Sequence, residues 1–205
     1  MMNADTALKK LIEGNKYYVD ATDNGAEIVT KIKRSPVDEG QSPFAIILGC
    51  SDSRVPVETI FHQGLGDLFV IRVAGNIVAP SQIGSIEFAC HNFGTQLVVV
   101  LGHSNCGAVK ATIDALTADP EGISPNIASI VDRVAPAVLP VVAKNPDADK
   151  TALLEQAVTA NVTRSVVGLT SRSVILKELI DQGKLKIVGA EYSLETGRVE
   201  FHLPE

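Results

Sequence analysis

Residues Leu97–His103 read LVVVLGH, and residues Phe44–Cys50 read FAIILGC. Both are short, continuous apolar runs, a pattern typical of strands that are buried on both faces of a parallel sheet. A polar cluster follows each run at once, Cys50–Arg54 after the first and His103–Gly107 after the second. Because open α/β sheets place their sites at the carboxyl ends of the strands, we expect the two clusters to meet in one site.

The rest of the chain alternates between strand-like and helix-like patterns. The remaining predicted strands are residues 68–74, residues 185–192 and, after a turn at 195–197, residues 199–203. The predicted helices are residues 4–20, 82–93, 106–116, 124–143 and 149–181, and residues 34–42 are a predicted loop. This order predicts an α/β fold with a mostly parallel central sheet of about five strands, an antiparallel edge strand and helices on both faces. We expect residues 1–205 to form a single domain, since the chain shows no internal repeat or low-complexity stretch.

Two of the predicted helices carry a further expectation. Pro136 and Pro140 should interrupt the helix over residues 124–143, because proline removes a helical hydrogen bond. The N-terminal helix is amphipathic, with Leu8 and Leu11 on its apolar face, and no strand lies beside it in sequence. We therefore expect this helix to pack on a partner subunit.

Composition narrows the class of protein. Of the 205 residues, 45% are hydrophobic and 20% are charged, as in ordinary globular proteins, and the net charge is −6. A negative balance without a basic stripe argues against nucleic-acid binding. No uncharged apolar stretch approaches the ~20 residues of a membrane span. The mean hydropathy of +0.19 is nevertheless high for a soluble domain. We attribute this apolar excess to subunit interfaces and expect no membrane association.

Cysteine usage and the N-terminus bear on the compartment. The three cysteines imply no disulfide framework, which suits a reducing compartment. Cys90 lies in an apolar helical pattern and is expected to be a small buried hydrophobe. The first residues lack a charged region followed by an apolar core, so we expect a cytoplasmic protein. The protein could be periplasmic only if the doubled methionine at Met1 and Met2 stands in place of a removed leader peptide.

The two polar clusters contain three side chains that bind divalent metals. Cys50, His103 and Cys106 offer two sulfurs and one nitrogen, a set that zinc favours, and three protein ligands leave a fourth position for water. The alternative is two buried thiols and a core histidine, which is the weaker interpretation for three metal-type residues at two strand ends. Asp52, two residues from Cys50, is a candidate for the fourth position.

Asp52 and Arg54 are two residues apart, so their side chains point the same way in an extended segment. An arginine fork holds a carboxylate through two parallel hydrogen bonds. Arg54 could thus keep Asp52 away from a metal ion, and Asp52 could accept a proton from a metal-bound water, whose pKa is lowered to around 7. The alternative is a surface ion pair worth ~0–1 kcal/mol.

In this order and spacing, the motifs resemble the signature of the β-class carbonic anhydrases, in their plant-type subtype as found in bacteria. The resemblance rests on Cys50-x-Asp52-x-Arg54 and His103-x-x-Cys106-Gly107, and extends over Gly49–Val55, Leu68–Asn76, Gly84–Ala89 and Val188–Tyr192. It implies reversible hydration of CO2 to bicarbonate and a proton, with one zinc ion per subunit on Cys50, His103 and Cys106. Asp52 and Arg54 would be the catalytic dyad. The family's assemblies imply a homo-oligomer, a dimer or a tetramer.

The resemblance also implies substrate contacts. Gln41 matches a glutamine with which plant-type members hold substrate, although a polar loop residue is the alternative interpretation. Phe69 matches an apolar residue of their pocket. At Phe88 many relatives carry tyrosine, so a hydroxyl contact made there is missing here. The positive helix N-terminus at Gly107 could help to hold bicarbonate.

Two other functions remain open. The same scaffold could act on a relative of CO2 such as COS or CS2, or the chain could be a zinc-stabilised module without activity, in which Asp52 caps the metal permanently. The intact Asp52–Arg54 pair argues against the module, because a closed structural site would not need the arginine. A thiol oxidoreductase is disfavoured, since Cys50 and Cys106 lack a C-x-x-C pairing.

Overall fold

A computed structural model of the chain describes residues 2–26, 40–117 and 123–203. Its strands are β1 (Ala45–Gly49), β2 (Leu68–Arg72), β3 (Leu97–His103), β4 (Lys186–Tyr192) and β5 (Val199–His202). They form one five-stranded sheet in the order β2-β1-β3-β4-β5. The first four strands are parallel and β5 is antiparallel to β4, which confirms the predicted mixed sheet.

Helices connect the strands. Within the described part of the chain they are α1 (Ala4–Asp23), α2 (Val57–Ile60), α3 (Pro80–Phe93), α4 (Gly107–Thr117), α5 (Pro125–Lys144), α6 (Lys150–Arg172) and α7 (Val174–Asp181), with a 3-10 turn at Ala74–Asn76. Parallel neighbours need crossover connections, and α4 to α7 lie on the one from β3 to β4. Most of the loop predicted over residues 34–42 lies outside the described residues.

Helix α5 runs through Pro136 and Pro140 without a break, so the prediction that these prolines interrupt it is wrong. The two prolines lie four residues apart and both are exposed. Water can there bond the carbonyl groups that lose a helical donor, which lowers the cost of each proline. Val134, Ala137 and Val138 anchor the same helix in the core.

Among the described helices, α5 is also the one that is long and apolar enough to cross a membrane by length and composition. Asp132 and Arg133 lie within it, so it is not an uncharged span. Buried core helices of soluble proteins pass the same test, but only 17% of the apolar window of α5 is buried, and the helix packs against α4 and α6 on one side; a single such helix decides nothing. Length and composition are therefore weak evidence for a membrane span here.

The helix predicted over residues 149–181 is two helices, α6 and α7, divided at Ser173. Ser173 has an extended backbone, with φ −130° and ψ 114°. Its Oγ accepts a hydrogen bond from Leu176 N at 3.0 Å and donates one to a carboxylate oxygen of Glu87 at 2.5 Å. A serine that caps the following helix in this way competes with helix continuation, so the chain changes direction here.

The core lies on both faces of β1 and β3, whose residues are all buried. On one face α1 packs against the sheet of its own chain and buries Leu8 and Leu11. On the other face Cys90 is buried, as expected, and desolvation raises the pKa of its thiol to about 12. Because Ile12 on α1 remains 45% exposed, the helix keeps an apolar surface, and its packing on a partner subunit stays a prediction.

Candidate metal centre

Three of the predicted site residues lie together at the carboxyl edge of the sheet. Cys50 follows β1, His103 ends β3, and Cys106 precedes α4. Strands β1 and β3 are paired with Gly49 opposite Leu101, so the residues that follow them face the same space. One ligand atom from each of the three lies within 4.8 Å of the others, and all three side chains are buried. The fold thus brings the two polar clusters together.

His103 is oriented by its neighbours. Its Nδ1 lies 2.9 Å from the carbonyl oxygen of Ser104, so Nδ1 carries the proton and Nε2 keeps a lone pair. Ser104 is held in turn by the end of the chain: its N–H donates to Tyr192 O and its Oγ accepts from Leu194 N, both at 2.9 Å. Within the described residues, His103 Nε2 is buried without a hydrogen-bond partner. A buried lone pair beside two sulfurs fits a zinc ligand.

Two residues with positive φ shape the backbone around the sulfurs. Asn105, at φ 55°, turns the chain between the histidine and the second cysteine. Gly75, at φ 68°, brings its N–H to 3.3 Å from Cys50 Sγ. A Cβ on Gly75 would lie 3.1 Å from Ala108 Cβ, so both conformation and space favour glycine at this position.

The two sulfurs share a hydrogen bond. Donation from the Cys106 thiol lowers the pKa of Cys50 to about 4, outweighing the opposing effect of burial, and the Gly75 N–H adds to the lowering. The same contact, together with burial, raises the pKa of Cys106 above its ordinary value. The shared hydrogen bond thus favours ionisation of Cys50 before Cys106. A divalent cation would stabilise the second thiolate as well, because metal binding displaces ligand protons.

Asp52 and Arg54 form the ion pair expected from their spacing. Arg54 Nε donates to Asp52 Oδ1 at 2.9 Å and Nη2 donates to Oδ2 at 2.7 Å, a two-pronged contact. These bonds hold the pKa of Asp52 well below its usual range and raise the pKa of Arg54. Asp52 Oδ2 lies 3.9 Å from His103 Nε2, at the edge of the ligand cluster. Arg54 Nη2 also donates to the carbonyl oxygen of Asn105 at 3.4 Å, which ties the pair to the second polar cluster.

Arg72, which was not among the predicted site residues, contacts the same segment. Its Nε donates to Cys50 O at 2.9 Å and its Nη2 donates to Asp52 O at 2.5 Å. Arg72 is paired with Gly49 in the register of β1 and β2, so its side chain reaches the carbonyl groups that follow Gly49. The sequence held one signal of this, a charged residue near the end of an otherwise apolar predicted strand.

The predicted substrate contacts lie in three places. Gly107 is the first residue of α4 and is exposed beside the second cysteine. Phe69 and Phe88 form an aromatic cluster with Phe93, with ring centroids 5.8 to 6.3 Å apart. This cluster flanks β2 at the outer edge of the sheet, and Phe88 is 52% exposed. Gln41 is exposed in the segment before β1.

Similarity to known proteins identifies the family. Residues 45–199 match the family model described as carbonic anhydrase. The chain belongs to the carbonic anhydrase family. It is 40% identical over 199 residues to "Carbonic anhydrase 2" of Mycobacterium tuberculosis strain H37Rv, across 96% of this chain and 91% of that relative. A carbonic anhydrase of Mycolicibacterium smegmatis is 37% identical over 205 residues, across 97% and 93% of the two chains.

Solved structures narrow the family to its β class. The β-carbonic anhydrase CcaA has a TM-score of 0.74 and 26% identity, covering 97% of this chain and 89% of that chain. The Coccomyxa β-carbonic anhydrase in complex with acetazolamide has a TM-score of 0.72 and 27% identity, covering 94% and 85%. The predicted family, fold class and enzyme class are therefore confirmed. The matched range holds the three candidate ligand residues and the ion pair, whereas Gln41 lies before it.

Proposed function

We propose that this carbonic anhydrase hydrates CO2 reversibly to bicarbonate and a proton at a zinc ion held by Cys50, His103 and Cys106, with one ion per subunit. The observation that carries the proposal is the buried Nε2 of His103, which lies in one cluster with two sulfurs and has no hydrogen-bond partner in the described chain. Two thiolates and an imidazole are a donor set that suits zinc. When bound by three protein ligands, zinc supplies hydroxide near neutral pH by lowering the pKa of water to about 7.

Asp52 and Arg54 would position the reacting water. Arg54 holds both carboxylate oxygens, which restrains Asp52 from turning into the ligand cluster. The low pKa of Asp52 keeps it ionised at neutral pH, so its Oδ2 would accept a hydrogen bond from the reacting water and orient it. The same low pKa disfavours the proton transfer to Asp52 that the sequence suggested. The side chain of Arg54 is 54% exposed, so this side of the centre opens to solvent, which takes up the released proton.

Bicarbonate and CO2 need different binding environments, because one is an anion and the other is apolar. Bicarbonate is an anion, and the N-terminus of α4 at Gly107 would stabilise it through free N–H groups and the helix dipole. CO2 is small and apolar, so aromatic side chains such as Phe69 and Phe88 suit it. Gln41, which is exposed in the segment before β1, would add a polar contact to the substrate.

We further propose that a second copy of the chain completes the pocket in a homodimer or tetramer. The aromatic cluster of Phe69, Phe88 and Phe93 flanks the edge strand β2, and the half-exposed ring of Phe88 would be buried by a partner. Two β-carbonic anhydrases of Sordaria macrospora, one with a TM-score of 0.68 and 23% identity to this chain, are described as tetrameric. Light scattering on the purified protein gives the stoichiometry, and a monomer would contradict the assembly.

Stopped-flow CO2 hydration at pH 8.5, with zinc determined on the same sample, tests the proposed reaction. We expect rapid turnover and about one zinc per chain. Zinc without turnover would contradict CO2 hydration, and COS and CS2 would then be assayed in the same way. A protein that binds no zinc would contradict the metal assignment itself.

A further inference from the structure

The carboxyl ends of β1 and β2 are joined by a side chain at the point where their backbone ladder stops. The last backbone contacts of that ladder are the Gly49–Arg72 pair and the hydrogen bond from Val73 N to Gly49 O at 3.1 Å. Beyond them the guanidinium of Arg72 spans two further carbonyl groups, those of Cys50 and Asp52. The pairing of the strands is thus continued by Arg72 along the segment that carries a proposed metal ligand and the proposed catalytic carboxylate.

We infer that Arg72 is a positioning residue, whose two hydrogen bonds fix the spacing and direction of Cys50 and Asp52 at the metal centre. The inference rests on the proposed function, because it gives Arg72 a role toward the zinc that Cys50 would hold. The hydrogen bonds of Arg72 go to backbone oxygens, at 2.9 and 2.5 Å, so Arg72 acts through the peptide groups.

The two hydrogen bonds of Arg72 require the planar guanidinium group of arginine. A guanidinium presents several donors in one plane with fixed directions, whereas the ammonium of lysine is a compact charge that rotates freely. Arginine can therefore hold the two carbonyl groups on either side of Ser51 at a fixed separation, whereas the rotating ammonium of lysine does not fix the distance between them. Holding both fixes the backbone on either side of Ser51, and with it the placement of Cys50 in the ligand cluster and of Asp52 Oδ2, which lies 3.9 Å from His103 Nε2.

A second contact closes the segment from its other end. The carbonyl oxygen of Asp52 also accepts a hydrogen bond from Val55 N at 3.0 Å. Asp52 O thus accepts one hydrogen bond from the turn that contains Arg54 and another from the guanidinium of Arg72. Groups that orient metal ligands from outside the coordination sphere are worth about 10–100-fold in metal affinity or activity.

Zinc release from the zinc-loaded enzyme to a chromogenic chelator tests the inference without relying on turnover. The variants are Arg72→Ala and Arg72→Lys. The matched control is Arg172→Ala, because Arg172 is also exposed and its Nη1 donates to a backbone carbonyl, that of Val78, at 2.7 Å. We expect release to be about 10–100-fold faster from Arg72→Ala and also faster from Arg72→Lys, with Arg172→Ala within about twofold of the parent.

Added methylguanidinium separates positioning from general loss of stability. It can replace the missing fork, so it should slow zinc release from Arg72→Ala and leave Arg172→Ala unchanged. Parental release rates in Arg72→Ala, or equal acceleration in the control, would overturn the inference. If Arg72→Ala does not fold, Arg72→Lys decides, and a parental rate there overturns it. If the parent enzyme binds no zinc, both the proposed function and this inference are overturned. If the parent binds zinc but does not hydrate CO2, only the proposed reaction is overturned.

Discussion

Asn15 joins the N-terminal helix to two distant parts of the chain, and its removal should destabilise the whole fold. Its side chain is 6% exposed. Its Nδ2 donates to Gly197 O at 2.9 Å and to Ile60 O at 3.3 Å, and its Oδ1 accepts from Val199 N at 2.8 Å. The substitution Asn15→Ala removes all three bonds and leaves three backbone groups without this partner.

The expected loss follows from the burial of those groups. A buried polar group left without a partner costs about 1–3 kcal/mol. The contacts to Gly197 and Val199 are only partly buried and the one to Ile60 is long, so we take the lower end for each, about 3 kcal/mol in total. For a chain of this size that loss lowers the Tm by roughly 6–12 °C.

Thermal unfolding at pH 7, followed by circular dichroism, measures the shift. Asn24→Ala is the control, because Asn24 caps the end of the same helix with an exposed bond to Asp20 O. Asn15→Asp should lose at least as much as Asn15→Ala, since a carboxylate would face the carbonyl oxygens of Ile60 and Gly197. A Tm for Asn15→Ala within about 2 °C of the parent would refute the reasoning.

Three further results are expected. Arg54→Ala should keep zinc but lose most CO2 hydration in stopped-flow assays, because Asp52 loses both side-chain donors; undiminished turnover would rule out the dyad. The pKa of Asp52 in the folded protein lies below its unfolded value near 3.9, so its stabilisation is complete above that value and is lost as the pH falls through the folded pKa. The Tm difference between the parent and Asp52→Asn should therefore shrink as the pH is lowered from about 5 to 2, and a constant difference would contradict this. Gly102→Ala should lose about 1–3 kcal/mol in urea unfolding, because its Cβ would lie 2.5 Å from Val162 Cγ2; the explanation fails if adding Val162→Ala recovers none of the loss.

The sheet and the three proposed ligands could be predicted because local signals carry them. The runs FAIIL and LVVVL identify β1 and β3 by themselves, and polar residues directly after such runs lie at the carboxyl edge in any open parallel sheet. The pairing of Asp52 with Arg54 is equally local, although a turn and not the expected extended segment brings the two together. Val55 N donates to Asp52 O and Arg54 N donates to Asp52 Oδ1, both at 3.0 Å.

Features that depend on distant partners could not be predicted. The division between α6 and α7 involves Ser173 and Glu87, which are 86 residues apart. The continuity of α5 depends on which side of the helix faces solvent at Pro136 and Pro140. The contact of Arg72 with Cys50 depends on the register of β1 and β2, which the sequence does not state.

The anchoring of Ser104 by Tyr192 and Leu194 makes the orientation of His103, a proposed ligand, depend on the synthesis and folding of β4. A ribosome adds roughly 5–20 residues per second, so all three ligand side chains leave it some seconds before β4 is made. In that interval the carbonyl group that orients His103 has no strand to hold it, and the nascent chain offers two thiols and a loosely placed imidazole. Once β4 pairs with β3 that carbonyl group is held, and the three proposed ligands lie in one cluster. A chain truncated before β4 would therefore keep all three proposed ligands and lose the contacts that hold the carbonyl group to which His103 is bonded.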